Sequence, residues 1–210
     1  MKYTQVGELR EVRRTNLYAY PRRAIREFLA NALIHQDFTI LGMQLSVEIF
    51  SDRLTIISPG ASLNDINRLI NLPPNSRNEI LANSMLLFGF CEKRGSGVDY
   101  AIESIEKHKL PAVKFSNEEN FVCVTLQPEK HYLQMTQDER IMTCYQHACI
   151  CFEDKKAITN QSVRERFGID KRNTAVASRI LTDTLSKGLI KLYDPSFLSK
   201  KFTSYIPYYG

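Results

Sequence analysis

The sequence places a carboxylate and a carboxamide four residues apart, at Glu27 and Asn31, in a segment that otherwise has the pattern of a buried helix. Four-residue spacing puts both side chains on one helical face. Asn is a poor helix former because its side chain competes for backbone hydrogen bonds. The chemistry open to this pair is hydrolytic, with Glu27 as a base for water and Asn31 as an oxygen ligand for Mg²⁺. The alternatives are a solvent-facing charge at Glu27 and, at Asn31, a buried amide that satisfies backbone groups.

A short glycine-containing segment, Gly95-Ser96-Gly97, precedes a second helical pattern. Glycines let the backbone approach a phosphate closely, and the N–H groups at the start of the next helix attract anions. Alone, this spacing is equally typical of a flexible loop or a helix start. Together with Glu27 and Asn31 it predicts a nucleotide site that binds ATP and Mg²⁺.

Other residues invite a chemical interpretation but carry less weight. His35 and Asp37 are expected to border the pocket. For catalysis we favour the alternative in which His35 interacts with the helix dipole and Asp37 starts a turn. Three cysteines and one histidine in a later helical segment suggest a metal site. Because they lack a C-x₂-C pair, we prefer the interpretation that the cysteines belong to the core of a helix. These four are Cys144, His147, Cys149 and Cys151.

The composition bounds the class of protein. The chain has 210 residues, 43% hydrophobic and 24% charged, which allows one large or two small globular domains. Its apolar runs are too short to cross a bilayer, and its start lacks a signal-peptide pattern. Five cysteines without framework spacing are typical of a reducing cytoplasm. We therefore predict a cytoplasmic protein that does not enter a membrane.

The elements that must position these residues form two groups. The first, residues 1–130, has a polar start without a recognisable domain opening, a helix from Pro21 to about Ile34, and a hairpin of strands 44–50 and 53–57. Helices at 63–70, 77–88 and 97–107 and strands at 113–115 and 121–126 complete it, with the last strand expected on a sheet edge. The predicted apolar stripe of the first helix is Ile25, Phe28, Leu29, Ala32 and Leu33.

The second group, residues 135–210, follows a linker at 127–130. Helices are predicted at 138–152 and 160–167, and a third begins at an Asp170 cap and ends near Ser186. Strands at 189–192 and 203–207 follow. Three helices and a β-ribbon are the order of a winged helix, and the second and third helices form a helix-turn-helix.

Charge points to a polyanion as the partner of the second group. Residues 155–210 carry 11 Lys and Arg against 4 Asp and Glu, whereas residues 1–130 carry 16 against 15. We expect double-stranded DNA to contact the third helix, whose core side would be Val176, Ile180, Leu181 and Leu185, and the wing. A protein-binding or structural winged helix is the alternative. The predicted DNA-binding residues are Lys171, Arg172, Asn173, Thr174, Arg179, Lys200 and Lys201.

These motifs resemble one known family. The segments 20–38, Asp52–Gly60, Arg77-Asn78, Gly95–Gly97 and Leu110-Pro111 occur in its order. It comprises ATP-binding transcriptional regulators that are often labelled as the C-terminal part of RecG-type ATP-dependent helicases. The resemblance implies a GHKL ATPase-like domain, similar to that of gyrase and histidine kinases, followed by a winged helix. It also implies that a Schlafen-like or AlbA-like domain precedes this region in a longer protein.

The resemblance assigns roles residue by residue. Glu27 matches the base position, Asn31 the metal position, and His35, Asp37, Gly60 and Gly95–Gly97 the surrounding pocket. Residues 58–62 lack the Asp with which better-studied ATPases of this fold recognise adenine, so ATP binding is expected without that contact. Helicase activity is not expected, because no Walker A loop occurs. The predicted function is a nucleotide-responsive transcriptional regulator, with homodimer formation open to it. The alternatives are a DNA- or protein-binding regulator with a degenerate ATPase scaffold, and an ATP-dependent accessory factor in DNA processing.

Overall fold

The computed structural model describes residues 5–10, 13–70, 75–91, 97–194 and 203–210. The predicted α/β fold class, in its α+β form, is confirmed. An antiparallel hairpin that the sequence did not predict comes first and pairs β1 (Gln5–Arg10) with β2 (Arg13–Tyr18). The following elements are α1 (Arg22–His35), β3 (Ser46–Ile49), β4 (Leu54–Pro59), α2 (Glu79–Leu87), α3 (Gly97–Lys107), β5 (Lys114–Asn117) and β6 (Phe121–Leu126).

Strands β3 to β6 form one antiparallel sheet in the order β3-β4-β6-β5. The predicted hairpin of β3 and β4 is present, but β6 lies inside the sheet, so its predicted edge position is wrong. The edge strands are β3 and β5, because β6 pairs with both β4 and β5. The helix predicted at 63–70 is also wrong. Only a 3-10 turn at Ile66–Arg68 forms, where the Asp65 side chain accepts a hydrogen bond from the Asn67 N–H at 2.9 Å.

Helix α1 is buried on more than one side because it packs against both β4 and α3. Phe28 is 2% exposed and meets the Phe115 ring edge-on, with 5.9 Å between ring centroids. Burying a side chain of this size contributes about 1.5–3 kcal/mol. Leu33, predicted to lie in the apolar stripe, is instead 37% exposed, while Ala24 and Ile34 are buried.

The C-terminal part consists of α4 (Gln137–Glu153), α5 (Asn160–Phe167), α6 (Thr174–Ser186), and the antiparallel pair β7 (Ile190–Leu192) and β8 (Tyr205–Pro207). Capping boxes begin α4 at Thr136 and α5 at Thr159, and Gly168 ends α5 with φ 65°. This is the element order from which the sequence predicts a winged helix.

Two details of α6 differ from the prediction. The helix begins at Thr174 rather than directly after Asp170. The Asp170 carboxylate accepts a hydrogen bond from the Arg172 N–H at 2.8 Å, so it caps the turn between α5 and α6 instead of the helix. Leu185, expected in the core, is 37% exposed, whereas Ile180 and Leu181 are buried.

Helix α4 is bonded to the first part of the chain by buried polar groups. The Gln146 side chain accepts from the Val113 N–H at 3.0 Å and donates to the Val113 carbonyl at 2.7 Å. The Thr143 hydroxyl accepts from the Ala112 N–H at 2.9 Å, and the Tyr145 hydroxyl donates to the Asn67 carbonyl at 2.6 Å. The apolar core is likewise continuous from Ala24 to Ile190.

None of the helices in the described ranges is long and apolar enough to span a membrane.

Candidate functional site

A cavity of about 180 Å³ lies between α1, the sheet and the start of α3. Helix α1 contributes polar side chains, β4 and β6 contribute the apolar floor, and the loop after β4 contributes backbone and hydroxyl groups. Its lining includes Glu27, Asn31, His35, Ile56, Ser58, Gly60, Ser62, Asn64, Asn75, Gly97, Val98, Phe115 and Val124. A mostly apolar lining with a few polar groups that point into the cavity is typical of a small-molecule binding site.

Glu27 and Asn31 face the same end of this cavity, and the first residue of α3 closes it. Glu27 is 2% exposed, and its Oε1 accepts from the Arg26 guanidinium at 2.8 Å. A Cβ atom on Gly97 would lie 2.9 Å from Glu27 Oε2 and 3.6 Å from Asn31 Nδ2. A side chain at this position would therefore have to displace the Glu27 carboxylate, whereas glycine lets the α3 backbone come this close to it.

The Asn31 carboxamide is buried without a partner at one atom. Within the part of the chain that the structure describes, nothing accepts a hydrogen bond from Asn31 Nδ2. Leaving a buried polar group unsatisfied costs about 1–3 kcal/mol. The oxygen and nitrogen of a carboxamide exchange places when the group turns over. Asn31 thus presents either a donor or an oxygen ligand to the space beside Gly97.

Two of the predicted glycine-loop residues, Gly95 and Ser96, lie outside the described residues. Their neighbour Gly97 begins α3, as the sequence predicts for a loop followed by a helix. Gly97 lines the cavity, so the start of α3, where helices usually have N–H groups without intrahelical partners, lies at the end that holds Glu27 and Asn31.

Gly60 forms another part of the cavity wall, and two neighbouring side chains leave no room for a Cβ atom on it. Its φ is +98°, and its N–H donates to the Asn120 carbonyl at 2.7 Å. A Cβ atom here would overlap the Arg77 guanidinium and lie 2.7 Å from Asp37 Cβ. Both the backbone conformation and the space therefore require glycine.

Asp37 supports that wall and does not line the cavity. Its carboxylate accepts from the Thr39 hydroxyl at 2.6 Å and from the Thr39 N–H at 2.9 Å, and lies 3.4 Å from Arg77 Nη1. The hydrogen bonds from Thr39, followed by the charge of Arg77, lower the pKa of Asp37. A ligand-binding role for Asp37 stays a prediction, and it would act through Gly60.

His35 lines the cavity. Burial, and secondly the nearby charge of Arg77, lower the pKa of His35. Its imidazole is therefore neutral at pH 7 and adds no positive charge to the site. Because an imidazole can accept as well as donate, it is suited to a hydrogen bond with a bound ligand.

Sequence reasoning assigned no role to Arg77 and Asn78, although the resemblance included them as a motif. Arg77 Nη2 donates to the Ala61 carbonyl at 2.8 Å and fixes the loop after β4. The Asn78 carboxamide donates to the carbonyls of Ile34 and Gln36 at 2.9 and 2.7 Å, which closes the end of α1. An Arg-Asn pair just before a helix was the available signal, but its targets are 16 to 44 residues away.

The residues predicted to bind DNA lie at the opposite end of the chain. Lys171, Arg172, Asn173, Thr174 and Arg179 are all exposed, with the first two in the turn before α6 and the others on or at the helix. The Asn160 side chain donates to the Thr174 carbonyl and the Ser178 hydroxyl, both at 2.9 Å, and so fixes α6 against α5. Lys200 and Lys201 lie outside the described residues.

The four residues considered as a metal site belong to α4. Cys144 and Cys149 are fully buried, and burial raises their thiol pKa values to about 12 and about 11. His147 pairs with Glu106 of α3 at 2.7 Å, and Cys151 lies 3.8 Å from the His147 ring. In the described ranges, these groups do not form a cluster able to hold a metal ion.

Comparison with known proteins gives a match to a family model over part of the chain and a similar fold. Residues 42–126 match the family model described as "Putative ATP-dependent DNA helicase recG C-terminal". None of the curated proteins matches the chain.

The fold is similar to that of a crystal structure, the DIP2311 protein from Corynebacterium diphtheriae, with a TM-score of 0.54 and 18% sequence identity. The match covers 97% of this chain and 42% of that one, and at this identity it shows the fold alone. The region from just before β3 through β6, which forms the floor of the cavity, is therefore similar to an ATPase-like family.

Proposed function

We propose that the cavity binds a nucleoside triphosphate with Mg²⁺, and that the protein is a transcriptional regulator whose nucleotide state alters DNA binding by residues 135–210. The supporting observation is the contact of Gly97 with Glu27 and Asn31. A buried carboxylate, a carboxamide with an unsatisfied atom and a helix start converge so closely that a Cβ atom on Gly97 would displace the Glu27 carboxylate. The family match of residues 42–126 supports a nucleotide as the ligand.

The residues fit a magnesium-bound triphosphate. Asn31 would hold the metal through its carboxamide oxygen, a ligand type that Mg²⁺ accepts. The ion would neutralise phosphate charge and polarise the terminal phosphoryl group. The N–H groups at the start of α3 would bind phosphate oxygens. Glu27, held by Arg26, would orient a water molecule and take its proton, so any ATPase activity depends on this carboxylate.

A thermal-shift measurement tests the proposal. A ligand present at 100 times its Kd stabilises the folded state by about 2.7 kcal/mol. For a chain of this length, 1 kcal/mol corresponds to about 2–4 °C in Tm, so a rise of about 5–11 °C is expected with ATP and Mg²⁺. The rise should shrink when EDTA removes Mg²⁺. If Tm does not depend on Mg²⁺ with millimolar ATP, ADP or GTP, the proposal is refuted.

One observation favours a second candidate, a regulator whose ATPase-like part is only a scaffold. Ser58 stands where relatives carry the adenine-reading Asp, and its hydroxyl donates to the Ala32 carbonyl at 2.7 Å. That hydrogen bond stabilises α1 against β4, and a base would meet a neutral hydroxyl here instead of the charged carboxylate of an Asp. The same thermal-shift result decides between the two candidates.

For DNA binding, the support is the exposed basic turn before α6 and the net charge of residues 155–210. We propose that α6 enters the major groove, with Arg172 and Asn173 near base edges and Lys200 and Lys201 near phosphates. A homodimer would place two such helices on two half-sites. Arg172→Ala should relax sequence preference at a cost of about 1–3 kcal/mol, measured by competition between duplexes of different sequence.

A further inference from the structure

A surface groove joins the end of α3 to the turn between α5 and α6. Lys109, just after α3, lies on one side, Arg164 of α5 lines the groove, and Lys171 lies at its other end. Lys109 and Lys171 are exposed and Arg164 is half-buried. Residues from the ATPase-like part and from the C-terminal helices thus form one cationic groove.

Buried bonds hold the two sides of this groove together. Arg166 Nη2 donates to the carbonyl of Leu110, the residue after Lys109, at 2.6 Å. Arg166 Nε also lies 3.8 Å from Glu106 Oε2 on the last turns of α3. Because Arg166 belongs to the same helix as Arg164, these contacts fix Lys109 relative to α5. The groove is therefore a built feature of the fold and not a chance approach of mobile side chains.

The groove has an excess of positive charge. Lys109 and Lys171 form no ion pair with any residue in the described ranges. Arg164 Nε donates to the neutral Asn160 carboxamide at 3.0 Å and keeps its charge. Among the described residues that line the groove, Glu165 has the one carboxylate, which accepts a hydrogen bond from Gln161 at 2.9 Å. Three cations against one anion suit a phosphate group.

We propose that this groove binds a backbone phosphate of duplex DNA, and that Lys109 carries the DNA-binding surface onto the ATPase-like part of the protein. The inference rests on the DNA-binding part of the proposed function. Duplex DNA is the expected ligand because the groove is continuous with the predicted DNA-binding surface: Lys171 and Arg172 connect it to the exposed start of α6. Contact with one duplex would then require both parts of the chain in their observed arrangement.

The test is a salt titration of the full chain on duplex DNA, with three variants. Lys109 has φ 54°, so Lys109→Asn removes the charge with a residue that tolerates the left-handed region. Each phosphate contact contributes about 0.9 to the slope of log affinity against log salt concentration. Lys109→Asn should lower that slope by about one and weaken binding to all sequences alike, while Lys109→Arg should restore it.

Lys107→Ala is the matched control. It removes the same charge two residues away, but Lys107 is paired with Glu103 at 2.7 Å and does not line the groove. Its slope should equal that of the wild type. Equal slopes for Lys109→Asn and wild type, or equal losses in Lys109→Asn and Lys107→Ala, would overturn this inference and leave DNA binding by α6 intact. A wild-type chain that fails to bind duplex DNA, or binds it independently of salt, overturns both.

Discussion

Arg166 provides the sharpest test of how α5 is joined to the ATPase-like part. Its side chain is 5% exposed and donates to the Leu110 carbonyl at 2.6 Å, next to the Glu106 carboxylate. Arg166→Ala would leave that carbonyl buried and unsatisfied, which costs about 1–3 kcal/mol. It would also remove one of the two cations beside Glu106. Breaking a fully buried pair costs about 3–5 kcal/mol, but Glu106 is 20% exposed and lies 3.8 Å from Arg166 Nε, so that range is an upper bound here.

Glu106 keeps a second partner, which sets the expected size of the effect. His147 Nδ1 lies 2.7 Å from Glu106 Oε1. Burial would lower the pKa of His147, but hydrogen bonds with Cys151 and Glu106 outweigh it and raise the pKa to about 9. The imidazolium present at pH 7 therefore continues to neutralise Glu106 in the variant. We therefore expect a loss of about 1–3 kcal/mol, set mainly by the unsatisfied Leu110 carbonyl, or about 2–12 °C in Tm.

Urea unfolding at pH 7 measures this loss. We expect a lower transition midpoint with an unchanged m-value, because the interface loosens without changing the surface exposed on unfolding. Arg172→Ala, which truncates an exposed arginine in the same region, is the control and should change stability by less than about 0.5 kcal/mol. A loss below about 1 kcal/mol in Arg166→Ala would refute the view that this buried arginine joins the two parts.

Two further predictions concern acid stability and the cavity wall. Burial of Glu139 is outweighed by hydrogen bonds from the Thr136 N–H and Lys130, which lower its pKa from 4.5 to about 2. The charged carboxylate therefore stabilises the fold fully above pH 4.5, and this stabilisation is lost as the pH falls toward 2. Glu139→Gln should flatten the dependence of Tm on pH in that range. An unchanged profile would contradict the prediction. Gly60→Ala should destabilise the fold by about 1–3 kcal/mol and weaken nucleotide binding, measured by chemical unfolding and titration. Gly89→Ala is the control, because Gly89 has φ +71° and nothing lies within 4 Å of the new Cβ. It should lower the free energy of unfolding by less than Gly60→Ala does, and equal losses would refute the steric argument.

The sequence predicted those parts of the fold whose cause is local. Helix α1, the β3–β4 hairpin and the three C-terminal helices follow from apolar periodicity, turn residues and caps such as Thr159. The β1–β2 hairpin was missed because its residues are polar and lack an alternating apolar face. The position of β6 inside the sheet was missed because strand order depends on pairing between distant segments.

In the candidate site, too, only the features with a local cause could be predicted from the sequence. Helical spacing was enough to place Glu27 and Asn31 on one face, and both lie beside Gly97. That these residues bind a nucleotide stays a prediction. The network of Gly60, Asp37 and Arg77 was not predictable, because three separate loops contribute to it. The same holds for the contacts of Arg166, whose partners lie 56 and 60 residues earlier in the chain.

The most direct test of the proposed nucleotide site is a calorimetric titration of ATP, with and without Mg²⁺, into the wild type and two variants. The wild type should bind with an affinity that depends on Mg²⁺. Asn31→Ala should lose the Mg²⁺-dependent part, and Glu27→Gln should keep binding and lose any hydrolysis. Asn173→Ala, an asparagine at the start of α6, should match the wild type. Mg²⁺-dependent binding that survives Asn31→Ala unchanged, or a wild type that binds no nucleotide, would contradict the assignment of Glu27, Asn31 and Gly97 as the site.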